Sequence, residues 1–327
     1  MRSLEAGIAD VAQIGRAPPA ARMSVSADSR RHGWRPADPP RQPVLFINPR
    51  SGGGAAERAR LADRARERGI EAVELTAGQR LEDLAVAAVE DGADVLGGAG
   101  GDGTLATVAA VACARDLPFV CVPAGTRNHF ARDLGVDPGD LVGALDAFAA
   151  GLERRIDVGE VNGRTFLNNV SIGVYGDAVQ HPGYRDAKVR TLLETADEAL
   201  GPSGEATGLR VVDDRGDAHR DPAVLLVSNN PYGLNRPGRR GARPALDTGR
   251  LGIVVVDRPA PPRPPNGRAW AAPALEVEGH HGPIHAGVDG EAADLSVPLR
   301  FAIRPAALRV RIAARHPRRS PSARRMP

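Results

Sequence analysis

Four short segments carry residues that could do chemistry. Asn48-Pro49-Arg50-Ser51-Gly52-Gly53-Gly54 ends in a glycine run. Glycines between a strand and a helix let backbone N–H groups approach an anion, and a helix N-terminus favours negative charge. The plain alternative is a flexible strand–helix turn. Gly97-Gly98-Ala99-Gly100-Gly101-Asp102-Gly103-Thr104 repeats the glycine pattern with an acid inside it. A carboxylate beside a phosphate is repelled unless a cation lies between them, so Asp102 points to Mg²⁺, or to a hydrogen bond with a sugar or water. Thr104 can cap the following helix. The third segment runs from Pro123 to Ala131 and includes Gly125, Thr126, Arg127, Asn128 and His129. The fourth, Asp289-Gly290-Glu291, sets two carboxylates around a glycine. Such a pair could take a proton from an attacking hydroxyl. It could equally be an Asp-Gly hairpin turn with a solvated Glu.

The flanking pattern positions these segments. Val44 to Ile47 is a continuous apolar run that suits a buried parallel strand. Helical patterns follow over 55–68, 81–90, 105–114 and 140–149, alternating with strands over 70–75, 94–96 and 119–122. This alternation predicts a doubly wound α/β sheet. The three glycine-bearing loops then sit at carboxyl ends of parallel strands, where such sheets bind ligands. Beyond residue 152 strands predominate, over 156–161, 165–174, 209–213, 223–228, 251–256, 299–303 and 308–312, with one helix over 185–200. This predicts an all-β second domain of sandwich type. The expected division is a flexible tail over 1–42, an α/β domain over 43–152, a β-sandwich over 153–315 and a basic flexible tail over 316–327.

Composition narrows the function classes. The chain of 327 residues is 42% hydrophobic, 25% charged and 3% aromatic, with 43 basic and 40 acidic residues. So few aromatics exclude base stacking as the main binding mode, and the even charge balance gives no argument for nucleic acid. Lys188 is the single lysine. A Walker-type phosphate loop, which needs a Lys followed by Ser or Thr, is therefore absent. Cys113 and Cys121 cannot form a disulfide framework and read as small buried hydrophobes. The sequence has no run of about 18 apolar residues and no signal-peptide pattern. The expected location is cytoplasmic, with peripheral contact at the inner membrane surface. His280, His281 and His285 lack a matching ligand set. The basic tail from Arg315 to Arg325 could touch anionic membrane surfaces.

Taken together the motifs resemble the diacylglycerol kinase catalytic family, soluble lipid kinases related to sphingosine kinase. The resemblance covers about residues 43 to 315. It rests on Asn48-Pro49 with Ser51-Gly52, Gly100 to Thr104, Pro123 to Ala131, Asp157-Val158-Gly159 and Asp289-Gly290-Glu291, in that order. The third motif looks most like actinobacterial members. The resemblance implies an ATP-binding α/β domain and a β-sandwich domain with the site between them. It implies nucleotide contacts at Asn48, Pro49, Ser51, Gly52, Thr76, Gly100, Gly101, Asp102, Gly103, Thr104, Gly125, Thr126 and Asn128. Glu291 is implied as proton acceptor with Asp289 as partner or rival, and Asp102 and Asp157 as organisers of Mg²⁺. Three positions depart from the family pattern. His129 stands where Asp is usual. Leu105 is followed by Ala106-Thr107 where Asn-Glu is usual. The structural-metal segment reads Ala245-Leu246-Asp247-Thr248-Gly249, with Thr248 in place of an Asp.

The implied reaction is transfer of the ATP γ-phosphoryl group to a lipid hydroxyl. The implied partners are ATP with Mg²⁺ and a membrane lipid, diacylglycerol- or sphingosine-like, with no nucleic acid; a homodimer is compatible. Two other readings stay open: an NAD kinase-like enzyme, and a nucleotide- or lipid-binding member with weak or lost catalysis.

Overall fold

In the first half of the chain four strands alternate with helices, and three of those strands are buried apolar runs. The computed structural model describes residues 33–149, 151–173, 208–233, 242–258, 267–279 and 282–316. After the short β1 (Arg35–Pro36), β2 (Pro43–Ile47) leads through a 3₁₀ turn at Ser51–Gly53 into α1 (Ala55–Arg58) and α2 (Leu61–Arg66). Then come β3 (Glu71–Glu74) and α3 (Leu81–Glu90), and β4 (Val95–Ala99) and α4 (Asp102–Ala114). β5 (Pro118–Val122) is followed by α5 (His129–Leu134), α6 (Leu141–Ala144) and a 3₁₀ turn at Leu145–Phe148. β2, β4 and β5 are buried throughout, as strands covered on both faces must be. They pair in parallel in the order β3-β2-β4-β5.

The remainder is β-structure: β6 (Gly151–Val161), β7 (Arg164–Phe166), β8 (Asn169–Gly173), β9 (Leu209–Val212), β10 (Ala218–Arg220) and β11 (Val224–Asn229). β12 (Leu251–Val256), β13 (Gly267–Ala272), β14 (Ala274–Gly279), β15 (Pro283–Val288), β16 (Glu291–Ser296) and β17 (Leu299–Ala313) complete it. An antiparallel six-stranded sheet, β13-β12-β11-β8-β15-β16, packs on the antiparallel end of an eleven-stranded sheet. The shared core includes Val170, Leu225, Ile253 and Val288 from the smaller sheet and Phe166, Val277, Leu299 and Phe301 from the larger. The fold is therefore an α/β layer joined to an all-β layer pair.

β17 links the two. Its first half pairs with β14, and its last residues run parallel to β5. The sequence suggested two strands, 299–303 and 308–312, because Pro305 interrupts the pattern. The structure keeps one strand with a bulge between Arg304 and Leu308, where Ala306 has φ +51°. The larger sheet thus runs without a break across residue 152.

Other expectations are corrected. The helix over 55–68 breaks into α1 and α2 at Arg60, which adopts φ 49°. The helix over 140–149 is one α turn and one 3₁₀ turn. The flexible tail does not extend through residue 42. Trp34 is buried and Arg35–Pro36 pairs with Leu152–Glu153 of β6. The helix over 185–200, and residues 1–32 and 317–327, lie outside the described residues.

Candidate active site

Three loops at the carboxyl ends of β2, β4 and β5 meet at the N-terminus of α4. Asn48, just after β2, donates its backbone N–H to Ala99 O at 2.9 Å. Its side-chain amide donates to Thr104 Oγ1 at 3.2 Å. Gly101 N–H donates to Ser51 Oγ at 3.3 Å. Gly52 has φ +57°, and a methyl group there would fall 2.4 Å from the Ala124 carbonyl oxygen. A methyl on Gly125 would fall 2.4 Å from Gly101 Cα. Glycine is required at both positions by the close approach of backbone to backbone.

The implied nucleotide residues take different parts in this arrangement. Asn48, Ser51, Gly52, Gly101, Thr104 and Gly125 knit the loops together, and Gly100 packs against Thr104 within the second loop. Asn128, buried and at φ 53°, is the clasp of the third loop. It accepts from Gly125 N–H at 2.9 Å and donates to Pro123 O at 3.2 Å and to Gly125 O at 2.8 Å. Its side chain is therefore committed to the loop. Pro49 begins the turn in the first loop. Thr126 is exposed on the third loop. Thr76 is exposed beyond β3 and its N–H donates to Gln79 Oε1 at 2.9 Å.

Asp289 and Glu291 arrive from the β layer. Asp289 (φ 51°) and Gly290 (φ 86°) form the two-residue turn between β15 and β16, with Val288 opposite Glu291. Consecutive left-handed residues match the right-handed twist of a hairpin, which accounts for Asp-Gly here. The Asp289 carboxylate accepts from the N–H groups of Leu167 at 2.8 Å, Asn168 at 2.7 Å and Asn169 at 3.1 Å. Burial raises its pKa to about 6 despite these donors, and the nearby Asp102 charge adds to the rise. Glu291 is exposed, and its carboxylate lies against Gly103 at the head of α4. The two acids differ in setting as a result: Asp289 is buried and held by three backbone donors, and Glu291 is exposed beside Gly103.

Asp102 opens α4 and accepts from Phe130 N–H at 3.3 Å. His129, where the family pattern has Asp, begins α5 beside it. Desolvation lowers the imidazole pKa, outweighing the opposing charges of Asp102 and Asp133. Asp157, implied to act with Asp102, is held by donors of its own. Asp157 is buried and its two oxygens accept from Gly249 N–H at 2.7 Å and Ala306 N–H at 2.9 Å. It caps the bulge of β17 and fastens the 245–249 segment. Within that segment Thr248 donates its N–H to Asn230 Oδ1 at 2.8 Å and its hydroxyl to the same oxygen at 2.6 Å. Among the described residues no group of three or more His, Cys, Asp or Glu is assembled to hold a metal.

Behind the turn lies a buried ion pair that sequence reasoning missed. Arg243 Nε donates to Asp133 Oδ2 at 2.7 Å. Asp133 shares a helical face with Phe130, so an acid at that spacing in an apolar stretch was the available signal. Arg243, in a segment rich in Gly, Arg and Pro, gave none.

A cavity of about 590 Å³ opens beside Glu291. Its walls are α4 at Gly103, Ala106 and Ala110, β7 at Arg164 and Thr165, and the hairpin at Val288.

Residues 42–161 match the diacylglycerol kinase catalytic domain model. A Staphylococcus aureus (strain JH9) diacylglycerol kinase is 35% identical over 184 residues, 52% of this chain and 55% of that protein. A Mycobacterium tuberculosis (strain H37Rv) diacylglycerol kinase is 35% identical over 122 residues, 36% of this chain and 40% of that protein. The matched part of the chain thus spans about half or less of these relatives' length. The crystal structure of a Bacillus anthracis (strain Sterne) diacylglycerol kinase superposes with TM-score 0.58 at 17% identity, covering 83% of this chain and 96% of that one. A second structure from the same organism gives TM-score 0.61 at 18% identity over 84% of this chain and 96% of its own. These two share the fold with this chain, and residues 42–161 are similar in sequence to the diacylglycerol kinase catalytic domain.

Proposed function

We propose that this protein is an ATP-dependent lipid kinase that phosphorylates a hydroxyl on a diacylglycerol- or sphingosine-like lipid. The observation that carries the reading is the seating of Glu291 against Gly103. It brings a carboxylate from the β layer to the one place where three glycine-bearing loops and a helix N-terminus converge.

The chemistry follows from these positions. Phosphate groups meet backbone N–H donors of the glycine loops and the N-terminus of α4, a helix of 13 residues. A magnesium ion carried by ATP would be held by phosphates and one or two carboxylates. Asp102, at the head of α4, would supply a hard oxygen there, while Asp157 accepts from Gly249 and Ala306. When bound, the ion neutralises charge on the transferring phosphoryl group. The lipid hydroxyl oxygen attacks the γ-phosphorus, the bond to the β,γ-bridging oxygen breaks, and ADP leaves with that electron pair. The hydroxyl proton passes to Glu291. Asp289, fixed by three backbone donors, holds the hairpin that presents Glu291.

The acceptor approaches through the 590 Å³ cavity, which is large enough for a head group and continuous with Glu291. The lipid tail stays in the membrane, so the protein works at the membrane surface. Among the described residues no helix is long and apolar enough to cross a bilayer. The test is incubation of the protein with labelled ATP and mixed vesicles containing diacylglycerol or a sphingoid base, with NAD in a parallel arm. Labelled lipid supports the reading; labelled NAD alone, or ATP binding without any labelled product, overturns it.

A further inference from the structure

We infer that Arg243 is a positioning residue that sets where the Asp289–Glu291 hairpin sits over α4. The inference rests on the kinase reading above. The Arg243 side chain is fully buried, and its fork reaches three different elements. Nε donates to Asp133 Oδ2 of α5 at 2.7 Å. Nη1 donates to Asn229 O at 2.9 Å, at the end of β11, and also to Leu167 O. Nη2 donates to Asn168 Oδ1 at 2.8 Å. Its own backbone N–H donates to Asp133 Oδ1 at 3.3 Å.

The pattern of partners argues for more than packing. Leu167 and Asn168 form the turn between β7 and β8 whose backbone N–H groups grip Asp289. At the other end, Asp133 lies on α5, whose Phe130 N–H grips Asp102. The contacts therefore form a ring: Asp102 to α5, α5 to Arg243, Arg243 to the 167–168 turn, the turn to Asp289. The last link, between Asp289 and Asp102, is no bond: their like charges repel, which adds to the rise of the Asp289 carboxyl. Arg243 is the one cation in the chain of contacts, and only the planar guanidinium fork can bind a carboxylate, two carbonyls and an amide oxygen at fixed angles. A buried ion pair is by itself weak evidence of stability, since desolvation offsets its attraction. What it supplies here is geometry, holding two like charges from different layers at one site. Lysine keeps the charge but lacks the fork.

The test uses the full chain with Arg243→Lys and the double variant Asp133→Leu/Arg243→Met, which removes the buried charge pair together and avoids leaving a lone buried ion. Turnover, KM for MgATP and hydrogen exchange of the amides at 167–169 are measured for each. Both variants are expected to lose at least about tenfold in kcat, an effect of misplacement on the chemical step. KM for ATP should stay within about twofold, because the glycine loops are intact. Exchange at 167–169 should accelerate while the core strand 224–229 stays protected. Either variant with wild-type turnover overturns the inference. So does unchanged protection at 167–169, or loosening spread evenly over the molecule. The exchange measurement stands without turnover, so a failed kinase reading and a failed positioning role give different results.

Discussion

Glu291 and Gly103 are in contact across the two layers, and a methyl group on Gly103 would lie 1.7 Å from Glu291 Oε1 and 2.2 Å from its carboxyl carbon. No backbone atom is among the three nearest to that methyl position. Glycine at 103 is therefore a matter of room for one side chain. Gly103→Ala should push the carboxylate aside and leave the fold in place, since alanine favours the helix by about 1 kcal/mol. The expected outcome is an undiminished Tm with turnover reduced at least about tenfold, the scale on which misplaced groups act. Unchanged turnover would mean that Glu291 does not work from this position.

Gly52 is a different case. Its φ of +57° and the 2.4 Å approach to the Ala124 carbonyl leave no room for a side chain without moving backbone. Gly52→Ala should cost on the order of 1–3 kcal/mol of stability from backbone strain. It should also weaken ATP binding, because the first and third loops separate. Calorimetric unfolding and ATP titration together check this; a variant that binds ATP normally would place the nucleotide elsewhere.

The raised pKa of Asp289, about 6, has a consequence for stability. The unfolded carboxyl titrates near 3.9. Between these values the folded protein binds more protons than the unfolded chain. Stability must then fall as pH rises from about 4 to about 6, and its charged form is held at a cost. The shift of roughly two units corresponds to about 3 kcal/mol. Asp289→Asn does not titrate. Urea unfolding at several pH values should show wild type losing stability relative to Asp289→Asn across that window. Parallel pH dependences would show that burial does not perturb this group.

Asp157 should behave as a structural acid. Both its oxygens accept backbone N–H groups, from Gly249 and Ala306. Asp157→Asn turns one acceptor into a donor facing a donor, a loss of about 1–3 kcal/mol. The magnesium concentration needed for half-maximal activity should not move. A shift in that requirement with stability intact would return Asp157 to the metal network.

Much of this is legible in the sequence. Continuous apolar runs such as Val44 to Ile47 betray strands buried on both faces, and glycine clusters after them mark the ligand end of the sheet. The hidden parts have physical causes. Trp34 sits in an Ala-, Arg- and Pro-rich stretch with no periodicity; tertiary contacts order it, with Arg154 4.8 Å from its ring centroid and Arg35–Pro36 paired to β6. Between 267 and 296, β14 and β15 alternate, with Leu275, Val277, Ile284 and Val288 buried, but small residues such as Ala286 at an inner position and Ala292 and Ala293 in β16 weaken the pattern over the hairpin that carries Asp289. A sequence motif lists Asp157 without showing the donors that surround it, the N–H groups of Gly249 and Ala306. The Asp133–Arg243 link joins residues 110 positions apart, beyond any local pattern.

In the proposed reaction Glu291 accepts the proton of a lipid hydroxyl as phosphate passes from ATP. Its most direct test compares wild type with Glu291→Gln for labelled phosphate moved from ATP to lipid, with ATP affinity measured beside it. The expected result is labelled lipid from wild type, turnover lower by at least about a hundredfold in the variant, as for loss of a general base, and ATP affinity nearly unchanged. Turnover retained in Glu291→Gln, or ATP binding lost with it, would contradict the claim.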